Sequence, residues 1–242
     1  MTSVYIYHHL GLGDHIICNS IIRIYAKKYD KVFHFVKPNN FENVAFMYRD
    51  LKNLYLLKMQ SHEIDQFLNI NPSINIIRIG YTKEYFKKLA DDVYNSFDIG
   101  FYDMASIDLV EKWNSFYIKR DIKREKEVFY DILSLKDNDK FIFIHEDSNR
   151  NFLIDRNRMV NDVRIISAED FKNVRVFDFL FTIERAHSVN VMASSFYCLI
   201  DTAQIATNEL VLHDYVNISM GQDIHTDTAG FLKYKLNWKI LR

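Results

Sequence analysis

Two prolines (Pro38 and Pro72) and six glycines are all that punctuate these 242 residues, so each of them carries information. Low-complexity segments are absent. Cysteine is scarcer still in meaning. Cys18 and Cys198 lie in separate apolar helical patterns with no CxxC spacing, which excludes a disulfide framework and a cysteine metal site and reads as two small buried hydrophobes. Charge of one sign is lacking too. A formal net charge of −1 and a pI near 6.8 offer no global field for nucleic acid, so any basic site must be local. No apolar run approaches the ~18 residues of a membrane span. The amino terminus has neither a basic leader nor a cleavable apolar block, and His8 and His9 stand where an apolar core would lie. The expected location is cytoplasmic.

What is present is a folded, aromatic-rich globule: 48% of the residues are hydrophobic, with 19 Phe and 15 Tyr. A chain of this size buries roughly 70–75% of its unfolded surface, enough for a core without covalent staples. Strand-like runs at Val4–Tyr7, Val32–Val36, Leu54–Leu57 and Ile74–Ile79 alternate with helical patterns at His15–Tyr29, Phe41–Tyr48 and His62–Leu68, the last with Ser61 as N-cap. After an aromatic stretch over 83–120, the charged run Lys119–Glu127 leads into a helix ending near Leu135 and reads as a solvated connector between domains. The alternation then resumes with strands Phe141–His145, Val163–Ile166, Val174–Phe177, Val189–Met192 and Leu210–His213. Between them run a helix from about Phe179 to Ala186, with Asp178 as cap, and another from Ser194-Ser195 to about Thr207. The expected fold is α/β, two small Rossmann-like domains (residues 1–122 and 123–242) with parallel sheets facing a cleft.

Three loops could carry chemistry. In the first, a strand ends in His8-His9 and turns through Gly11-Leu12-Gly13-Asp14 into an apolar helix. Strand, glycine turn and helix bring ligand to the carboxyl edge of a sheet. A carboxylate at the helix start repels phosphate, so Asp14 suits a hydroxyl or a proton; the competing reading is a capping residue in a tight turn. In the second, strand Phe141–His145 runs into Glu146-Asp147-Ser148-Asn149-Arg150-Asn151, with Arg156 and Arg158 following. An arginine there can bind phosphate bidentately. In the third, Val189–Met192 feeds Ser194 and Ser195 into a helix start, a natural pyrophosphate seat or an ordinary serine cap.

Competing motifs fit less well. A dinucleotide fingerprint needs a glycine where Ile16 stands and an acid closing the second strand, which ends instead in Val36-Lys37-Pro38. A P-loop needs a lysine after the glycines. His145-Glu146 lacks HExxH spacing and a third ligand. Asp137-Asn138-Asp139 has a metal-holding DxD form but precedes a strand, which is where a turn belongs. No metal and no cofactor are expected.

Taken together, the Gly11-Leu12-Gly13-Asp14 loop with Ile16–Ile22, and Thr182-Ile183-Glu184-Arg185-Ala186 followed by Val189–Met192 and Ser194-Ser195-Phe196-Tyr197, resemble the GT-B glycosyltransferases, and most the heptosyltransferase-like branch. The resemblance implies a metal-independent, inverting transfer from a nucleotide-sugar donor to a glycan or other hydroxyl acceptor. Asp14 matches the base, with His9, Gly11, Gly13 and Asn19 on the acceptor side. Ser194 and Ser195 match the diphosphate turn, with His145, Arg150 and Phe196 beside them on the donor side. Two departures stand out: both domains are trimmed, and Met192-Ala193-Ser194-Ser195 replaces the usual Asp-Gly-Pro or similar sequence. The alternatives from other classes are a non-catalytic nucleotide- or sugar-binding α/β protein and an NADP-linked reductase using Lys37.

Overall fold

A computed structural model describes residues 1–80, 82–90, 96–148, 151–156, 159, 163–214 and 232–241. The chain forms two compact units, Met1–Lys119 and Arg120–Arg242. Arg150 and Arg158 lie outside the described residues.

The first unit holds strands β1 (Ser3–Tyr7), β2 (Lys31–Val36), β3 (Leu54–Lys58) and β4 (Ile76–Arg78), all parallel, in the order β3-β2-β1-β4. Its helices are α1 (Leu12–Ile17), α2 (Asn19–Lys28), α3 (Phe41–Met47), α4 (Ser61–Ile70), α5 (Lys83–Ala90), α6 (Phe97–Met104) and α7 (Glu111–Asn114). Val32, Phe35 and Val36 on β2 are fully buried, as parallel strands covered on both faces should be, whereas edge strand β3 is half-buried or exposed throughout. Tyr7, Leu10, Phe35, Ile64 and Leu68 form one core beneath α4. A buried ion pair, Lys112 to Asp98 at 2.8 Å, ties α6 to α7.

Two sequence expectations are corrected here. The first helix begins at Leu12 and breaks at Cys18 instead of running unbroken from His15 to Tyr29. At α4 the cap is Gln60, whose N–H donates to Glu63 at 2.6 Å, and Ser61 is already helical.

The second unit opens with α8 (Ile122–Glu127), which continues as a wider turn over Val128–Ile132. Its strands β5 (Phe141–His145), β6 (Arg164–Ser167), β7 (Ser188–Met192), β8 (Leu210–His213) and β9 (Trp238–Leu241) are also all parallel, in the order β6-β5-β7-β8-β9. The remaining helices are α9 (Leu180–Arg185) and α10 (Ser195–Thr202). The strand expected at Val174–Phe177 is a 3-10 turn over Val176–Phe179. The cause is local: Asp178 accepts from the Arg175 backbone N–H and pairs with its guanidinium at 3.0 Å, which closes a helical turn. Asp178 therefore sits three residues inside that turn instead of at its cap. The helix expected to reach Thr207 ends at Thr202.

The charged run is less solvated than its composition implies. Arg120 pairs with Glu125, which is 1% exposed, and with Glu184 on α9. Strand β9 escaped the sequence reading. It is placed by Asp201, whose Oδ1 accepts from the backbone N–H groups of Lys235 and Leu236 and from Trp238 Nε1. Asp137-Asn138-Asp139 is the turn expected: Asp139 accepts from the Lys136 N–H, and Asp137 from the Tyr130 hydroxyl.

Candidate functional site

In each sheet the chain first builds outward on one side of its opening strand and then crosses to the other. This reversal lies between β1 and β4 in the first unit and between β5 and β7 in the second. Open parallel sheets bind ligands at such points, outside the carboxyl ends of the strands. All three loops singled out in the sequence follow β1, β5 or β7.

At the end of β1, His9 bridges the reversal. Its Nε2 lies 2.8 Å from the Gly80 carbonyl beyond β4, and its ring meets Phe101 edge-on at 5.1 Å. Gly80 has φ +77°, and a Cβ there would lie 2.7 Å from both His9 and Phe101. This glycine is thus required twice, by conformation and by space. Gly11 serves differently. Its backbone is extended, at φ −70° and ψ 152°, and a Cβ would come within 2.6 Å of the Asp14 carboxylate. The glycine makes room for Asp14, which accepts the Gly11 N–H at 3.1 Å. Gly13 lies in the first turn of α1, not in the loop before it. Asn40 steadies the turn by donating to the Leu10 carbonyl at 2.8 Å.

Asp14 is half-buried, and burial pushes its carboxyl above the ordinary range. His9, the Gly11 N–H and Lys37 pull it down, so the group sits among partners of opposite tendency. A carboxyl tuned upward in this way suits proton transfer. Asn19 is in a different setting. It is fully buried, its Oδ1 accepts from Arg23 and from the Tyr117 N–H, and its Nδ2 has no hydrogen-bond partner among the described residues.

Beneath this loop lies a cluster that the sequence reading missed. His8, His15 and His34 are fully buried and offer ring nitrogens within 4.8 Å of one another. His34 stands on β2, opposite Ile6 of β1. The histidine at position 34 interrupts an apolar strand, and that was the available signal.

In the second unit, the end of β5 meets the first turn of α10 through a ring contact, His145 on Phe196, with centroids 4.6 Å apart. Burial lowers the His145 pKa against the opposing pull of Glu169, Asp147 and Glu146. Ser194 is the N-cap residue of α10, yet its hydroxyl makes no capping bond. Ser194 Oγ and His145 Nδ1 are buried without a hydrogen-bond partner among the described residues. Such groups carry a desolvation cost of about 1–3 kcal/mol each unless something meets them. They flank a helix start whose first N–H groups have no intrahelical acceptor. Ser195 begins α10 and is half-buried. Glu146 is committed elsewhere, accepting the Ile154 N–H at 2.7 Å and pairing with Arg156 at 3.0 Å. The thiol of Cys18 is pushed up by burial and is no nucleophile, and Cys198 is buried as well.

A glycosyl transferase family 9 crystal structure from Veillonella parvula DSM 2008 aligns over 88% of this chain and 80% of its own, with TM-score 0.52 and 9% identity. The E. coli ADP-heptose LPS heptosyltransferase II structure aligns over 88% and 84%, with TM-score 0.50 and 8% identity. The chain has a GT-B-like α/β fold. At this identity the likeness is one of fold, the fold that the heptosyltransferase-like resemblance implied. No protein-family model and no curated protein sequence matches the chain. Among the described residues of this GT-B-like chain, no helix is long and apolar enough to cross a membrane.

Proposed function

We propose that this chain is a glycosyltransferase that moves a sugar from a nucleotide-activated donor to a hydroxyl acceptor without a metal at the reacting centre. The observation that carries the reading is at the reversal of the second sheet. There the Ser194 hydroxyl and a His145 ring nitrogen, both without a hydrogen-bond partner among the described residues, lie by the start of α10, where a donor diphosphate would sit. On this reading the second unit takes the donor. Its diphosphate is stabilised by the helix start, by Ser194 and Ser195, and by Arg150, while Phe196 supports His145. The first unit takes the acceptor, with His9 and the Gly11–Asp14 turn around it. Asp14 removes the proton from the attacking hydroxyl, which displaces the nucleoside diphosphate at the anomeric carbon. One displacement inverts that carbon.

The Asp14 bond to the Gly11 N–H favours a second reading, in which Asp14 is only a cap and the protein binds nucleotide or sugar without turning it over. Two substitutions separate these. Asn at position 14 keeps an oxygen for the Gly11 N–H, so Asp14→Asn should leave stability within about 1 kcal/mol while turnover falls by ~10²-fold or more. Normal turnover in Asp14→Asn excludes the base. For the donor side, Ser194→Ala should weaken a nucleoside diphosphate by about 0.5–1.5 kcal/mol and leave the bare nucleoside unaffected in calorimetry. Equal affinity of the wild type for nucleoside and diphosphate would remove the phosphate site.

A further inference from the structure

We propose that His8, His15 and His34 form a buried site for one divalent metal of the zinc class, which ties the end of β1 to β2 and α1 directly beneath the Gly11–Asp14 turn. The argument starts from hydrogen positions. His34 Nδ1 lies 3.2 Å from the Ile6 carbonyl, and His8 Nδ1 contacts the His9 carbonyl. A carbonyl can only accept, so both Nδ1 atoms carry the proton and both Nε2 atoms present lone pairs. His15 Nδ1 lies 3.0 Å from His34 Nε2. A cation there would take both as lone pairs, so His15 would ligate through Nδ1 and carry its proton on Nε2. His8 Nε2 and His15 Nε2 are buried with no hydrogen-bond partner among the described residues.

The His8 Nε2 lone pair is buried with no donor among the described residues, and a cation would meet it. Neutral imidazoles are the form that ligates metal. An imidazole-only donor set fits zinc and its d-block neighbours, not magnesium or calcium, which need oxygen. The geometry is close to what zinc needs. Zn–N bonds of about 2.0–2.1 Å in a tetrahedron put ligand nitrogens roughly 3.3 Å apart. One pair here is already at 3.0 Å, and the rings' nitrogens all lie within 4.8 Å of one another. The Ile6 and His9 carbonyls supply the outer contacts that orient metal-bound imidazoles. The site uses only side chains of the first unit and does not depend on sugar transfer.

The test uses untagged full-length protein incubated with zinc and passed through gel filtration. About one zinc per chain should remain, and cobalt in its place should give the intense visible bands of a tetrahedral site. Changing an outer contact typically lowers metal affinity 10–100-fold, so losing a ligand in His34→Gln or His8→Gln should lower zinc affinity by ~100-fold or more. The exposed His62→Gln should bind as wild type does. Chelator should lower the wild-type melting temperature. Should the buried variants fail to fold, the cobalt spectrum and X-ray absorption of the wild type decide alone. The proposal is overturned by retention of under about a tenth of a zinc per chain, by zinc binding that survives both buried substitutions, or by a cobalt spectrum without nitrogen ligation.

Discussion

Lowering the pH should unfold the first unit through its histidine cluster, and the size of the effect can be worked out. His34 is fully buried, and its pKa is held down to about 4 from an ordinary 6.5, chiefly by burial. In the unfolded chain the same ring takes a proton near pH 6.5. Between those two values the unfolded state binds more protons, so stability falls as the pH drops. Above pH 6.5 the contribution is fully present; by pH 4 it has been lost. With a 2.5-unit gap at 1.36 kcal/mol per unit, His34 alone contributes about 3 kcal/mol. His8 and His15 are lowered as well and steepen the slope in the same direction. The titratable groups acting on the three rings are the rings themselves, His9 and Lys37, all bases, while the His9 and Ile6 carbonyls oppose the lowering at His8 and His34. Metal-free protein carrying Trp238→Phe would be unfolded in urea at several pH values between 7 and 4.5, with Trp113 reporting on the first unit. His34→Gln should then lose about one proton's worth of slope, near 1.4 kcal/mol per pH unit around pH 5. Flat stability between pH 6.5 and 5, or equal slopes in the two proteins, would refute the reasoning.

Three further outcomes follow from buried contacts. Lys112→Met leaves the Asp98 carboxylate buried without its 2.8 Å partner and should cost about 3–5 kcal/mol; a loss under 1 kcal/mol in denaturant titration would mean that the pair is solvated. Gly80→Ala forces a side chain into the left-handed region and against His9 and Phe101, so the first unit should lose more than about 2 kcal/mol, read as an earlier thermal transition. Arg120→Ala strips the buried Glu125 of its partner and should destabilise the second unit by about 3 kcal/mol, while Glu125→Gln in the same background restores part of the loss.

Most of the scaffold could be read from sequence because strand and helix periodicities are local properties. Val32–Val36 and Phe141–His145 are apolar runs broken only by a histidine and largely buried, as covered parallel strands should be, while Leu54–Leu57 at the edge is less buried; all three are strands of parallel sheets. The loops worth attention were also visible, since a glycine turn or a pair of serines between strand and helix is written in consecutive residues. Where local chemistry outweighed the apolar pattern, the reading failed. The Arg175–Asp178 pairing turned an expected strand into a helical turn, and β9 depended on Asp201, which lies 37 residues before Trp238.

Three things required the folded chain. Strand order placed the β1, β5 and β7 loops at the two reversals, and no residue pattern encodes strand order. Clearance and burial gave Gly11 its purpose and raised the Asp14 carboxyl, since both depend on atoms brought near by packing. The histidine cluster joins positions 8, 15 and 34. Periodicity assigned the first two to one loop and helix and the third to a separate strand, and only parallel pairing of β1 with β2 brings His34 opposite Ile6, two residues before His8. The sequence determined which elements form, because their stabilising contacts are short in range. Tertiary structure decided which side chains share a dry pocket, because burial and ring–ring contact depend on distance in space and not along the chain.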